Sequence, residues 1–222
     1  MNCVSLFDIT RAALREQISF LLGDGDTERP ADGRLYKMLR ALDNARLADG
    51  HCGEPLICNL NELLNGLCAA LAALLAARGR DLYTMLPKAQ MYARINPDAL
   101  TAATCNLIVN AFEHSGAQSV RLRLTSAAGS AVITVADKGQ GIAAASLLGL
   151  GLPAVKRVCE AFGGNLKTAT GSAACSGTSV SITLPLCERP DPIGRYRAPD
   201  TAYYLLDRFS KAYVAVRAMC DE

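Results

Sequence analysis

Asn106-Leu107-Ile108-Val109-Asn110-Ala111-Phe112-Glu113-His114-Ser115 is the stretch on which the reading of this chain turns. Two shorter stretches follow it, Asp137-Lys138-Gly139-Gln140-Gly141 and Gly149-Leu150-Gly151-Leu152. Asn106 and Asn110 stand four apart, so a helix puts both carboxamides on one face. Two amide oxygens there can meet a hard cation such as Mg2+, or its waters, together with phosphate oxygens. Solvated or capping asparagines give the same spacing. Asp137 closes a strand, where a carboxylate can accept a hydrogen bond from a purine amino group, and the glycines after it let backbone approach a flat ring. As a bare pattern it is also a common turn. Gly149 and Gly151 open a helix through Pro153, and backbone N–H groups at a helix start suit a phosphate.

Working outward, Asn96-Pro97 supplies a cap and a first-turn proline for a helix running to about residue 114. Residues 120–125 and 131–136 alternate as strands around the turn Ala127-Ala128-Gly129. A helix is expected over 152–162, with strands near 166–170 and 179–184. Upstream, Asn59 can cap a helix over 60–77, and short strands are expected at 82–86 and 91–95. The mixed order with late hairpins predicts an α+β fold of sheet and helices. Before it, apolar residues at helical steps predict helices over 4–22 and 33–47, joined by a polar loop with glycines and Pro30. One hairpin cannot cover its own apolar stripes, so a homodimer through these helices is expected. Beyond residue 187, prolines at 190, 192 and 199 mark a linker. Asp200 then caps a helix carrying Leu205, Leu206, Phe209, Val216 and Met219, expected to pack on the body or on a dimer mate, with a docking role for another protein as the alternative. The division predicted is 1–55 for the hairpin, 56–186 for the α+β domain and 187–222 for the linker and helix.

Composition narrows the function. Half of the 222 residues are hydrophobic, enough for a substantial core. Lys and Arg number 23 against 21 Asp and Glu, a balance without the footprint of a nucleic-acid or acidic-membrane binder. The longest apolar run, 67–77, is eleven residues, whereas a membrane span needs about 20. The first residues lack the basic segment and cleavage site of a signal peptide, so a cytoplasmic location is expected. Nine cysteines without a C-x-x-C pair read as small buried hydrophobes in a reducing compartment.

In this order the three stretches resemble the N, G1 and G2 boxes of the ATP-binding domain shared by sensor histidine kinases, gyrase and MutL-type ATPases and Hsp90, the GHKL group. Gly163-Gly164 and the run from Ser176 to Leu186 resemble that domain's close in histidine kinases. The resemblance covers about residues 56–186 and implies a Bergerat-type α/β sandwich preceded by a helical hairpin. It also implies roles. Asn110 would be the Mg2+ ligand, with Asn106 assisting at phosphate or a metal-bound water. Asp137 would bind the adenine amino group, Gly139 and Gly141 would shape the adenine pocket, and Gly149 and Gly151 would contact phosphates. Thr178 would support Asp137 through a water. His114 could face a phosphate or simply end its helix, and Lys156 could be an ordinary exposed charge. ATP and Mg2+ are the implied cofactors, and a response regulator or another kinase the implied partner.

Departures from the pattern matter as much. The ATPases and the anti-sigma Ser/Thr kinases of this group usually carry a glutamate base at position 106, and an asparagine amide cannot accept a proton at neutral pH. The lid between Gly141 and Gly149 is only seven residues. Helix one carries no histidine: the weak alignment of 6–14 puts Asp8 where a phosphoacceptor belongs, and the chain's two histidines are His51 and His114. The expected function is therefore a histidine-kinase-like signalling protein that binds Mg-ATP, lacks its own phosphoacceptor, and acts on or regulates a partner. An anti-sigma-type kinase and a phosphotransfer adaptor with a vestigial ATP domain are the alternatives.

Overall fold

The computed structural model describes residues 6–22, 30–139, 150–170, 177–189 and 196–219. Helices α1 (Leu6–Leu22) and α2 (Pro30–Ala48) form the hairpin. Then come β1 (Leu56–Asn59), α3 (Leu60–Ala76), β2 (Asp81–Met85), β3 (Tyr92–Ile95) and α4 (Pro97–Ser115). The chain continues through β4 (Ser119–Ala127), β5 (Ser130–Asp137), α5 (Gly151–Ala161), β6 (Asn165–Thr170) and β7 (Thr178–Cys187), and ends in α6 (Thr201–Leu206) and α7 (Lys211–Arg217).

The strands make one sheet in the order β1-β3-β7-β5-β4-β2, with β6 also paired to β7. Pairing is antiparallel except for β2 on β4. Along β4 the side chains alternate, Val120, Leu122 and Leu124 buried and Arg121 and Arg123 out, because one face of the sheet meets helices and the other meets water. Leu63, Leu67 and Leu71 of α3 and Leu100, Ile108 and Phe112 of α4 fill that covered face. Both helix starts follow from local chemistry. Asn59 Oδ1 accepts from the N–H groups of Asn61 and Glu62 at 3.1 and 3.4 Å, and Asn96 Oδ1 accepts from Ala99 N at 3.0 Å. The α+β sandwich expected from the sequence is the fold observed.

Two elements differ from expectation. β1 adds a strand on β3 just ahead of the Asn59 cap, where no element is expected from the sequence. The single C-terminal helix is two. It stops at Asp207, whose Oδ1 accepts from Phe209 N at 2.8 Å, and restarts at Ser210, whose hydroxyl accepts from Tyr213 N at 3.2 Å. Ser210 also donates to Tyr204 O at 2.7 Å, so the corner is held by its own side chain. It turns α7 back onto the hairpin. Ile18, Tyr36 and Leu39 are buried with Val214 of α7 and with Ala218, which caps its end, and the rings of Tyr36 and Tyr213 lie 5.9 Å apart. The hairpin also packs against α4 and α5, and Leu47 and Cys52 join the main core, so hairpin, sheet domain and C-terminal helices share packing. Among the described residues no helix is long and apolar enough to cross a membrane.

Candidate nucleotide-binding site

β5 ends at Asp137, and β7 begins beside it at Thr178. Asp137 Oδ1 accepts from Gly139 N at 2.8 Å and from Thr178 N at 3.3 Å. Both bonds fall on one carboxylate oxygen, and among the described residues none falls on Oδ2. The Asp137 side chain looks into a pocket walled by Leu107, Ala111, Val135, Leu152 and Val180, with Asn110, His114 and Thr178 at its edges. Thr178 is 5% exposed, and its buried hydroxyl has no hydrogen-bond partner among the described residues. A buried hydroxyl left unpaired costs free energy on the order of 1–3 kcal/mol, so a ligand or water that meets it recovers that cost. An apolar slot with one free carboxylate oxygen and one orphaned hydroxyl is the donor and acceptor set that an aminopurine fits.

Gly139 must be glycine for a steric reason. A Cβ there would overlap the Cβ and carbonyl oxygen of Ser115, because the strand end lies directly on the C-terminal turn of α4. Gly151 meets the same helix further back, where an added Cβ would stand 3.1 Å from Asn110 Nδ2. The first turn of α5 receives no side-chain cap from Leu150, and a helix start of this kind, beside Asn110, suits an anion. Gly141 and Gly149 lie outside the described residues.

The N-box face is occupied in a way no motif announces. Arg40 of α2 lays its guanidinium across it, Nε to Asn106 Oδ1 at 3.2 Å, Nη2 to Asn110 Oδ1 at 3.1 Å and Nη1 to Glu113 Oε2 at 3.2 Å. Asn106, 2% exposed, also donates through Nδ2 to Asn44 Oδ1 at 2.5 Å. Asn110, expected as a Mg2+ ligand, thus has its carbonyl oxygen facing a cation supplied by the chain. Asn106 likewise holds the hairpin rather than standing free for phosphate. Glu113 was the legible part of this cluster, since it sits three and seven residues beyond the two asparagines on their helix face. Arg40 and Asn44 carried no signal beyond their own four-residue spacing.

The remaining candidates separate cleanly. His114 is exposed and borders both the apolar pocket and the cavity beside Arg40. Lys156 stands on the outer face of α5, 3.8 Å from Glu160, as an ordinary surface charge. His51 lies 3.4 Å from Asp49 and packs its ring against Phe7, in a polar cavity with Asn96 and Asp98 at the far end of α4. Twelve helical residues from Asp98 to Asn110 amount to about 18 Å. Burial pushes the thiols of Cys58, Cys68, Cys105 and Cys159 up to about 12, which leaves them inert packing groups.

Comparison with known proteins agrees with this fold. Residues 95–188 match the family described as histidine kinase-, DNA gyrase B- and HSP90-like ATPase. The chain is 30% identical over 142 residues to the C4-dicarboxylate transport sensor protein DctB of Rhizobium meliloti (strain 1021), a match over 56% of this chain and 22% of that protein. It is 33% identical over 115 residues to the sensor histidine kinase ZraS of Escherichia coli (strain K12), over 45% of this chain and 24% of that one. The chain thus spans about a quarter of the length of these relatives. Among solved structures, full-length ShkA in complex with AMPPNP superposes with a TM-score of 0.63 at 18% identity, covering 84% of this chain and 46% of that one. The Acinetobacter baumannii histidine kinase AdeS gives 0.55 at 15% identity, covering 82% and 96%.

Proposed function

We propose, from the premise that this chain carries a histidine-kinase-like ATP-binding domain, that it binds ATP with Asp137 as the adenine anchor and signals through a partner protein. The observation that carries the first half is the Asp137 Oδ2 beside the Thr178 hydroxyl, both without a partner among the described residues, at the end of an apolar slot. The adenine amino group donates to the carboxylate, Thr178 supports it directly or through a water, and the ring takes the place of water against Val135, Val180 and Leu152. The phosphates run past Asn110 toward the start of α5. Bound ATP stabilises the fold by mass action. At a concentration a hundred times its Kd the gain is about 2.7 kcal/mol, and a thermal melt with and without ATP reads it.

Hydrolysis is a poor fit. Asn106 has no basic atom for a water, and its amide is committed to Arg40 and Asn44. Autophosphorylation is a poor fit as well. Helix α1 carries no histidine, and His51 is tucked against Phe7 at the other end of α4. Incubation with γ-labelled ATP should therefore leave no acid-labile, base-stable label on this chain. Label that appears on the wild type and vanishes in His51→Gln would restore ordinary autokinase function. The role left to the chain is regulation or phosphorylation of a cytoplasmic partner, a response regulator or another kinase.

Self-association through the hairpin rests on a narrower base than its apolar stripes suggested. The chain's own α7 covers Ile18, Tyr36 and Leu39, and on the outer surface Ile9 and Met38 remain exposed at 56% and 55%. The chain is expected to sediment as a homodimer paired through the hairpin outside the α7 contact, where these two side chains lie. A strictly monomeric mass at micromolar concentration would contradict this.

A further inference from the structure

Arg40 stands on the hairpin, yet its guanidinium bonds to Asn110, the residue to which the resemblance assigns Mg2+. Three of its five N–H groups are held by Asn106, Asn110 and Glu113, at 3.2, 3.1 and 3.2 Å. That leaves two N–H groups without a partner among the described residues, while the charge is paired with the Glu113 carboxylate, which lines the same cavity. Its side chain is 15% exposed, and what exposure it has opens on a cavity of the phosphate side, shared with Lys37, Asn110, His114 and the start of α5 at Gly151. Asn110 and His114 border both this cavity and the apolar pocket of Asp137, so one elongated ligand reaches from one to the other. A Mg2+ ion on the same Asn110 oxygen would stand close beside the Arg40 guanidinium, so the two cations oppose each other there.

We propose that Arg40 takes the place of Mg2+ at this site, so that the docked hairpin supplies the cation for the nucleotide's phosphates and binding does not depend on a divalent metal. This rests on the nucleotide reading above and sharpens it. A guanidinium offers what phosphate recognition requires, a fixed planar fork and a charge that is never lost at neutral pH. The acceptors around it are those a metal would otherwise use, and here they orient the fork instead. The hairpin thereby becomes part of the binding site rather than a separate module.

The test compares ATP binding by calorimetry in Mg2+ and in EDTA, for the wild type and for Arg40→Gln. In the wild type, removing Mg2+ should change Kd by less than about threefold, whereas Arg40→Gln should lose about tenfold or more in EDTA and regain much of it with Mg2+. A wild type that needs Mg2+ overturns the proposal, even if the variant proves too unstable to titrate. A variant that binds ATP more tightly under both conditions also overturns it, since Arg40 would then be a plug. If ATP binds to neither protein, the nucleotide reading fails, and a second measurement still decides the role of Arg40. Millimolar Mn2+ without nucleotide, followed by water-proton relaxation, should leave the wild type unchanged and bind Arg40→Gln through the freed oxygens. Mn2+ binding to the wild type, or to neither, overturns the substitution of arginine for metal.

Discussion

Asp43→Ala should lower the unfolding free energy by about 3 kcal/mol, the low end of the 3–5 kcal/mol that follows when one partner of a buried ion pair is removed. The Asp43 side chain is 7% exposed and holds two cations, Arg11 Nε at 2.8 Å and Lys211 Nζ at 2.6 Å. Those bonds tie α1 and α7 to α2, so the carboxylate pins three elements at one point. Its loss strands two positive charges side by side. The low end is appropriate because Arg11 and Lys211 keep 19% and 21% of their side-chain surface in water.

Lys211 gives the prediction a pH signature. Burial lowers its pKa from the ordinary 10.5, the attraction of Asp43 raises it, and Arg11 lowers it again, with Asp98 adding a smaller raising effect. In Asp43→Ala the main opposing attraction is gone, so the folded-state value falls further. Between that lowered value and 10.5 the unfolded chain holds the lysine proton and the folded chain releases it. Stability of the variant therefore rises with pH across this window. Denaturant melts of wild type and variant at neutral and mildly alkaline pH should show the gap narrowing as pH rises. Asp43→Asn keeps the shape and loses the charge, and should behave like the alanine variant in its pH trend.

Asp137→Ala should weaken ATP binding by about 1.5–3 kcal/mol, roughly tenfold to more than a hundredfold, the worth of a hydrogen bond to a charged group. Alanine also releases the N–H groups of Gly139 and Thr178, so part of the loss would come from a loosened pocket. Asp137→Asn separates the two effects. Its carbonyl can still accept from both N–H groups, while its amino group meets the adenine amino group donor to donor. Both variants should lose affinity, but only the alanine variant should also lower the melting temperature.

Much of this site was legible because its parts are local. Asn59 and Asn96 cap helices with side chains that reach only two or three residues onward, and Asp137 grips Gly139 two residues away. The alternation in β4 and β5 exposes their shared face from sequence alone. What escaped the reading depends on partners distant in sequence. Asp43 and Asn44 are buried, at 6% and 7% exposure, although charged and polar residues on a helix ordinarily mark its wet face. Their burial is tolerated because Lys211 lies 168 residues on and Asn106 62 residues on. Arg40 finds its acceptors 66 to 73 residues away. The cover supplied by α7 depends in turn on the corner at Ser210, which a continuous apolar spacing conceals.

The central claim is that Asp137 reads an amino group on the purine, and the most direct measurement is a calorimetric titration of the wild-type protein with ATP and with ITP. The two nucleotides share the sugar and phosphates, but inosine carries a carbonyl where adenine carries its amino group. Facing that carbonyl, the Asp137 carboxylate would have acceptor against acceptor. The account predicts that ATP binds and that ITP binds at least about tenfold more weakly. Equal binding of the two, or no binding of ATP, would contradict it.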